Sequence, residues 1–148
     1  MINIIVGTET GTAEFVADEV LELLTSNNIQ ACITLEPVLK QLIPSPLWIV
    51  ITSTHGAGDI PYNLHQFTQS VTNSNSDLSS KKAMIIALGD SSYDTYCQAG
   101  ISINDLFLSA NMTMITPMLK VDAMDADMPE DIVIEWLSQY IPSISDLI

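Results

Sequence analysis

The 148-residue chain contains no arginine, and its only fixed cations are Lys40, Lys81, Lys82 and Lys120 against 18 acidic residues, a formal net charge of -14. Without a guanidinium there is no bidentate grip on phosphate, so arginine fingers and arginine-built anion sites are excluded. The missing positive patch also argues against nucleic-acid binding, because a phosphate backbone asks for one. The two cysteines, Cys32 and Cys97, match no metal or C-x-x-C spacing. Thiols this sparse fit a reducing compartment better than a secreted one. The longest apolar stretches, "LWIVI" and "AMIIAL", are too short to span a bilayer, and "MINIIVGTETG" lacks the charged and apolar regions of a signal peptide. A soluble, cytoplasmic protein is expected, with no membrane partner. A surface this acidic is complementary to a basic protein.

What is present is enough apolar material, 47% of residues, for one domain over 1–148. Residues 2–6 form a β-branched run ending in a Gly-Thr turn. From Gly11 to Asn28 apolar residues recur at helical spacing (Ala13, Val16, Ala17, Val20, Leu21, Leu24), and Asn27-Asn28 stops the pattern. Residues 29–35 read as a strand at or near a sheet edge, and "LWIVITS" as a strand buried on both faces. Helices are expected over 64–72, 101–110 and 132–141, a buried strand over "KKAMIIAL", and a strand broken around Pro117. The polar run 73–80 turns the chain. Five strands alternating with helices imply an α/β fold: a doubly wound, five-stranded parallel sheet with helices on both faces. No repeat or linker interrupts it. In such sheets ligands sit beyond the carboxyl ends of the strands, so the loops there carry the functional information.

The first, "TETGTAE" at 8–14, precedes a helix whose opening amides are unpaired and whose dipole end is positive. Read alone, it is either a plain helix cap or an anion cradle made of hydroxyls and amides. Net charge does not forbid the second: carboxylates beyond ~8 Å are largely screened, whereas each N–H contact to a phosphate contributes roughly 1.5–3 kcal/mol. Glu9 and Glu14 need only point outward. A P-loop would need G-x-x-x-x-G-K-S/T, and no lysine occurs before position 40. The second loop, "STHGAGDIPYN", has Gly56 and Gly58, which permit close approach of a flat ligand. The third, "LGDSSYDTYCQAG", sets Tyr93 and Tyr96 among small polar residues, where the rings either pack back onto the body or stack on a ligand.

In order and spacing these three loops resemble the FMN-binding loops of the flavodoxin family, most closely its short-chain, MioC-type branch. The resemblance spans the whole chain, including the acidic "DADMPED", and implies a sheet of order 2-1-3-4-5. It further implies a phosphate loop at Thr8, Glu9, Thr10, Gly11, Thr12 and Ala13. Ser53, Thr54, His55, Gly56 and Gly58 would lie beside the ring. Leu88, Gly89, Asp90, Tyr93, Tyr96 and Cys97 would cover its other face, with Tyr93 stacked and Cys97 packed beneath. The Gly56 carbonyl would turn toward the ring on reduction. His55 stands where many relatives carry Trp or Tyr. Histidine changes charge near neutrality, so FMN affinity or potential is expected to vary between about pH 5.5 and 7.5.

The function implied is low-potential transfer of single electrons, without catalysis of its own. Acidic residues at 59, 90, 94, 125, 127, 130 and 131 make the flavin end negative, while Lys40, Lys81 and Lys82 lie at the opposite end. Such a surface would receive a basic redox protein, such as an NADPH-dependent flavodoxin reductase. The resemblance suggests an iron–sulfur acceptor enzyme, with electron supply to biotin synthesis as the role. Two other classes compete: an NAD(P)H-dependent flavin or quinone reductase on the same fold, and an interaction protein with a decayed flavin site. NADPH turnover by the chain alone would mark the first; failure to bind FMN would mark the second.

Overall fold

Nearly continuous burial along the central strands shows that the sheet is covered on both sides. The computed structural model describes residues 1–74 and 77–148. Asn75 and Ser76, in the polar run expected to turn the chain, lie outside the described residues. Strand β1 (Ile2–Gly7) leads to α1 (Thr12–Ser26), β2 (Ala31–Thr34), a short α2 (Leu39–Leu42) and β3 (Trp48–Thr52). A 3-10 turn (Tyr62–Leu64) then opens α3 (His65–Thr72), followed by β4 (Lys82–Gly89) and α4 (Gln98–Ser109). The chain closes with β5 (Thr113–Met114), β6 (Leu119–Asp122), α5 (Pro129–Ser138) and α6 (Ile141–Ser145).

All pairings in the sheet are parallel, in the order β2-β1-β3-β4-β5, with β6 also on β4. The broken strand expected around Pro117 is β5 and β6. Both pair with β4, so the sheet has five positions across, as the sequence implies. In β3, Ile49 and Ile51 face α1 and α5, in a core with Val16, Val20, Leu24, Val133 and Leu137. Trp48 and Val50 face the opposite side with Phe67, Ile103 and Phe107 from α3 and α4. Trp48 meets Phe67 and Phe107 edge-on, at centroid distances of 5.9 and 5.8 Å, and its indole N–H donates to Leu42 O. That geometry suits the ring quadrupoles and keeps the buried Trp48 indole N–H paired.

Two boundaries differ from expectation. Helix α4 begins at Gln98, three residues before the expected Ile101, because Gly100 serves as a contact and not as a breaker. A Cβ there would fall 2.4 Å from Ala87 Cβ, so glycine lets the helix lie directly on β4. The second is α5, which starts at Pro129, a residue suited to the first helical position because its missing N–H is not needed there. Glu130 and Asp131 therefore occupy the first turn of α5 and not a loop, where the dipole favours them.

Candidate functional site

The order β2-β1-β3 places the chain's reversal between β1 and β3, and the loops leaving β1, β3 and β4 converge there. They enclose a cleft of about 500 Å³, within the ~300–1,000 Å³ range of small-molecule sites. Eleven residues expected in the site line it: Thr10, Thr12, Ser53, Thr54, Gly56, Leu88, Gly89, Asp90, Tyr93, Tyr96 and Cys97. Thr8, Glu9, Gly11, Ala13, His55 and Gly58 do not.

In the first loop Gly11 is the N-cap of α1, with φ 95°, and no side chain caps the helix. The Thr8 hydroxyl instead accepts from the Gly11 amide at 3.1 Å. The opening amides of α1 are thus left without a side-chain cap, and Thr10 and Thr12, which line the cleft, have no hydroxyl hydrogen bond among the described residues. Ala13, in the first turn of α1, is buried in the core on the helix's inner face. Glu9 does not simply point outward. Its Oε1 is 3.4 Å from His55 Nδ1 and accepts from the Tyr62 amide at 3.3 Å.

The second loop is closed by reciprocal backbone bonds, His55 N to Asp59 O at 2.8 Å and Asp59 N to His55 O at 2.7 Å. Gly56 sits at φ 50° with open space around it, while Gly58 packs against Thr95 and Gln98 of the third loop and α4. Thr54 Oγ1 accepts from the Ala99 amide at 3.2 Å, so this loop supplies the cap that α4 lacks locally. His55 is 53% exposed and turned to Glu9, outside the cleft lining.

The third loop is folded tightly over the end of β4. A Cβ at position 89 would lie 2.8 Å from Cys97 N, so only glycine lets residues 96–97 return this closely. Cys97 has left-handed backbone at φ 57°, is fully buried, and donates its thiol to Ala87 O at 3.4 Å. Burial pushes its thiol above the ordinary cysteine range. Tyr96 is pushed up to about 12, chiefly by burial and then by Cys97 and Asp122. Tyr93, in contrast, is 67% exposed at the cleft, and its ring has no aromatic neighbour among the described residues. Of the two placements the sequence left open for this ring, packing back onto the body is not adopted.

Four lining residues were not singled out from the sequence. Thr95 belongs to the third loop, while Val121, Ala123 and Pro129 form a further wall of the cleft, joined to the third loop through Asp122. Its Oδ1 accepts from the amides of Ser91 (3.0 Å) and Met124 (2.9 Å), and its carboxyl is held below the usual range by the Ser91 side chain first and then by these two amides. An aspartate at a strand end followed by a short polar turn is the signal that could have found it. Met124 and Met128, 67% and 58% exposed, flank that wall. Asn63 was also missed: its carboxamide bonds to Thr8, Val6 and Leu35. Lys82 opens β4 at the far end, Lys81 is tied to Ile43 O, and Lys120 on β6 is the one lysine near Cys97.

The donor set fits a flat ring with an anionic tail. Hydroxyls and open amides lie at one end, loops from two strands stand on either side, and an unstacked tyrosine is at the rim. Among the described residues no cluster of three or more His, Cys, Asp or Glu could hold a metal, and no helix is long and apolar enough to cross a membrane.

Comparison with known proteins agrees with this geometry. A family model described as flavodoxin matches residues 4–136. The chain is 35% identical over 140 residues to the protein MioC of Escherichia coli (strain K12), covering 95% of each. It is 32% identical over 143 residues to a MioC homolog of Haemophilus influenzae, covering 97% of this chain and 98% of that one. A cysteine-to-alanine mutant of flavodoxin from Pseudomonas aeruginosa superposes with a TM-score of 0.89 at 28% identity, over 97% of this chain and 98% of that one.

Proposed function

The chain belongs to the flavodoxin family, whose members bind FMN, and we propose that it carries single electrons from a basic reductase to an acceptor enzyme. The observation that carries the reading is the three-loop cleft beyond β1, β3 and β4, with its uncapped helix end and exposed Tyr93. FMN supplies the one-electron chemistry when bound. The hydroxyls of Thr10 and Thr12 and the opening amides of α1 would receive its phosphate. Ser53, Thr54 and Gly56 would stand on one side of the ring, and Leu88 to Cys97 on the other, with Tyr93 stacked. Asp59, Asp90 and Asp94, on a chain of net charge -14, oppose any added negative charge in the cleft and so lower the reduction potential.

Acidic side chains around the same mouth, interleaved with the exposed Met124 and Met128, suit a partner surface that is basic at its rim and apolar at its centre. A flavodoxin reductase using NADPH fits as donor. An iron–sulfur enzyme of biotin synthesis is the acceptor that the MioC-type resemblance suggests. Purified protein should be yellow, release FMN on acid treatment, and accept electrons from NADPH only when a flavodoxin reductase is added, at a rate that falls with salt. A protein that does not take up FMN, or one that oxidises NADPH alone, overturns the carrier reading; a salt-independent rate overturns the charged docking.

A further inference from the structure

Besides Glu9, a second side chain outside the cleft lining, Asn63, ties the first and second loops. Asn63 Oδ1 accepts from the Thr8 amide at 3.1 Å, and its Nδ2 donates to Val6 O at 2.6 Å and Leu35 O at 2.8 Å. Only this orientation of the carboxamide works: flipped, it would set an oxygen against two carbonyls and an amino group against an N–H. Asn63 thereby grips the last turn of β1, the chain leaving β2 and the first amide of "TETGTAE" at once. Thr8 passes the constraint on, because its hydroxyl accepts from Gly11 N, the N-cap of α1. A relay from Asn63 through Thr8 to Gly11 thus fixes the four residues before the uncapped helix end. Next to it, in the reverse sense, the Tyr62 amide donates to Glu9.

We infer that Asn63 is the positioning residue of the phosphate cradle, holding residues 8–11 so that the amides of α1 converge on the phosphate group of a bound flavin nucleotide. This rests on the flavodoxin reading of the cleft. Asn63 itself does not line the cleft, so its effect is transmitted through the loop. It should be confined to the ligand's anionic end, because Tyr93 and the third loop share no hydrogen bond with Asn63 or Thr8 among the described residues.

The test compares FMN with riboflavin, which carries the same ring without the phosphate. Full-length apoprotein is titrated with each by flavin fluorescence quenching, for the wild type, Asn63→Ala and Asn63→Leu, with apoprotein Tm recorded alongside. Asn63→Leu has nearly the same shape and no charge but cannot hydrogen-bond Thr8, Val6 or Leu35, and it keeps the comparison open should the alanine variant fail to fold. The expected result is FMN binding weakened about tenfold by either variant, from the loss of the hydrogen bonds through which Asn63 holds the loop, with riboflavin affinity changed by less than about twofold. Equal losses for both ligands, or unchanged FMN affinity, overturn the role of Asn63 while leaving the flavin reading intact. A wild-type protein that binds neither ligand overturns that reading and the inference with it.

Discussion

Glu9 and His55, from two different loops, stand 3.4 Å apart, Oε1 to Nδ1. A carboxylate beside the anion cradle is thereby turned toward an imidazole instead of toward the phosphate. Both groups are substantially exposed, so the pair contributes no more than about 1 kcal/mol, or roughly fivefold in affinity. Removing the imidazole frees the Glu9 carboxylate to approach the cradle, so His55→Ala should weaken FMN binding by up to about fivefold, and the double variant His55→Ala, Glu9→Gln should recover that loss. Unchanged FMN affinity for His55→Ala in a calorimetric titration would rule the coupling out.

Tyr93 offers an exposed ring to the cleft. Its truncation to alanine should weaken FMN through lost stacking, about 0.5–1.5 kcal/mol, plus the ring's buried area. Tyr93→Phe should bind nearly as well as the wild type. Isothermal titration separates these, and an unchanged Kd for the alanine variant would remove Tyr93 from the site.

The phenol of Tyr96 is pushed up to about 12 by its burial. The folded state thus holds a proton that the unfolded chain gives up near its ordinary value of about 10. Stability from this group is fully present below about pH 10 and is lost as pH rises toward 12. Between about pH 9 and 11.5 the wild-type Tm should fall more steeply than that of Tyr96→Phe. Parallel curves in a scanning calorimeter would contradict the burial of this hydroxyl.

Gly100 lies against Ala87, where an added Cβ would come within 2.4 Å of the Ala87 methyl. Gly100→Ala should cost about 1–3 kcal/mol, as overpacking does. Adding Ala87→Gly should recover part of that loss, since the two positions are in contact. Urea denaturation of the single and double variants measures the coupling; additive effects would mean the helix shifts freely.

Much of this architecture could be read from the chain. The β-branched and apolar runs at 2–7, 48–52 and 82–89 have one burial solution, between two helical layers, and the loops after them were where the alternation placed them. Harder to read were features set by partners distant in sequence. Asn63 is an unremarkable polar residue until β1 and β2 bring Val6, Thr8 and Leu35 to it. Gly100 is a helix breaker by propensity and a helix contact by packing. The family resemblance implied His55 beside the ring, and its pairing with Glu9 across the loops could not be read from either loop alone. Val121 and Ala123 carry no chemical signature and enter the cleft only because β6 lies beside β4.

The split outer strand has one more consequence. Met114 pairs with Ala83 and Leu119 with Ile86, so four residues, 115–118, run alongside only two on β4, Met84 and Ile85. The surplus is absorbed at the margin of the sheet, while Met84 and Ile85 remain paired to Ile49 and Val50 of β3 on the other side. Extra chain added near the exposed Pro117 would lengthen a detour that already exists, at a closure cost that grows only slowly with length. This is the joint at which the fold can acquire an accessory segment, or receive a grafted reporter, without redrawing the cleft.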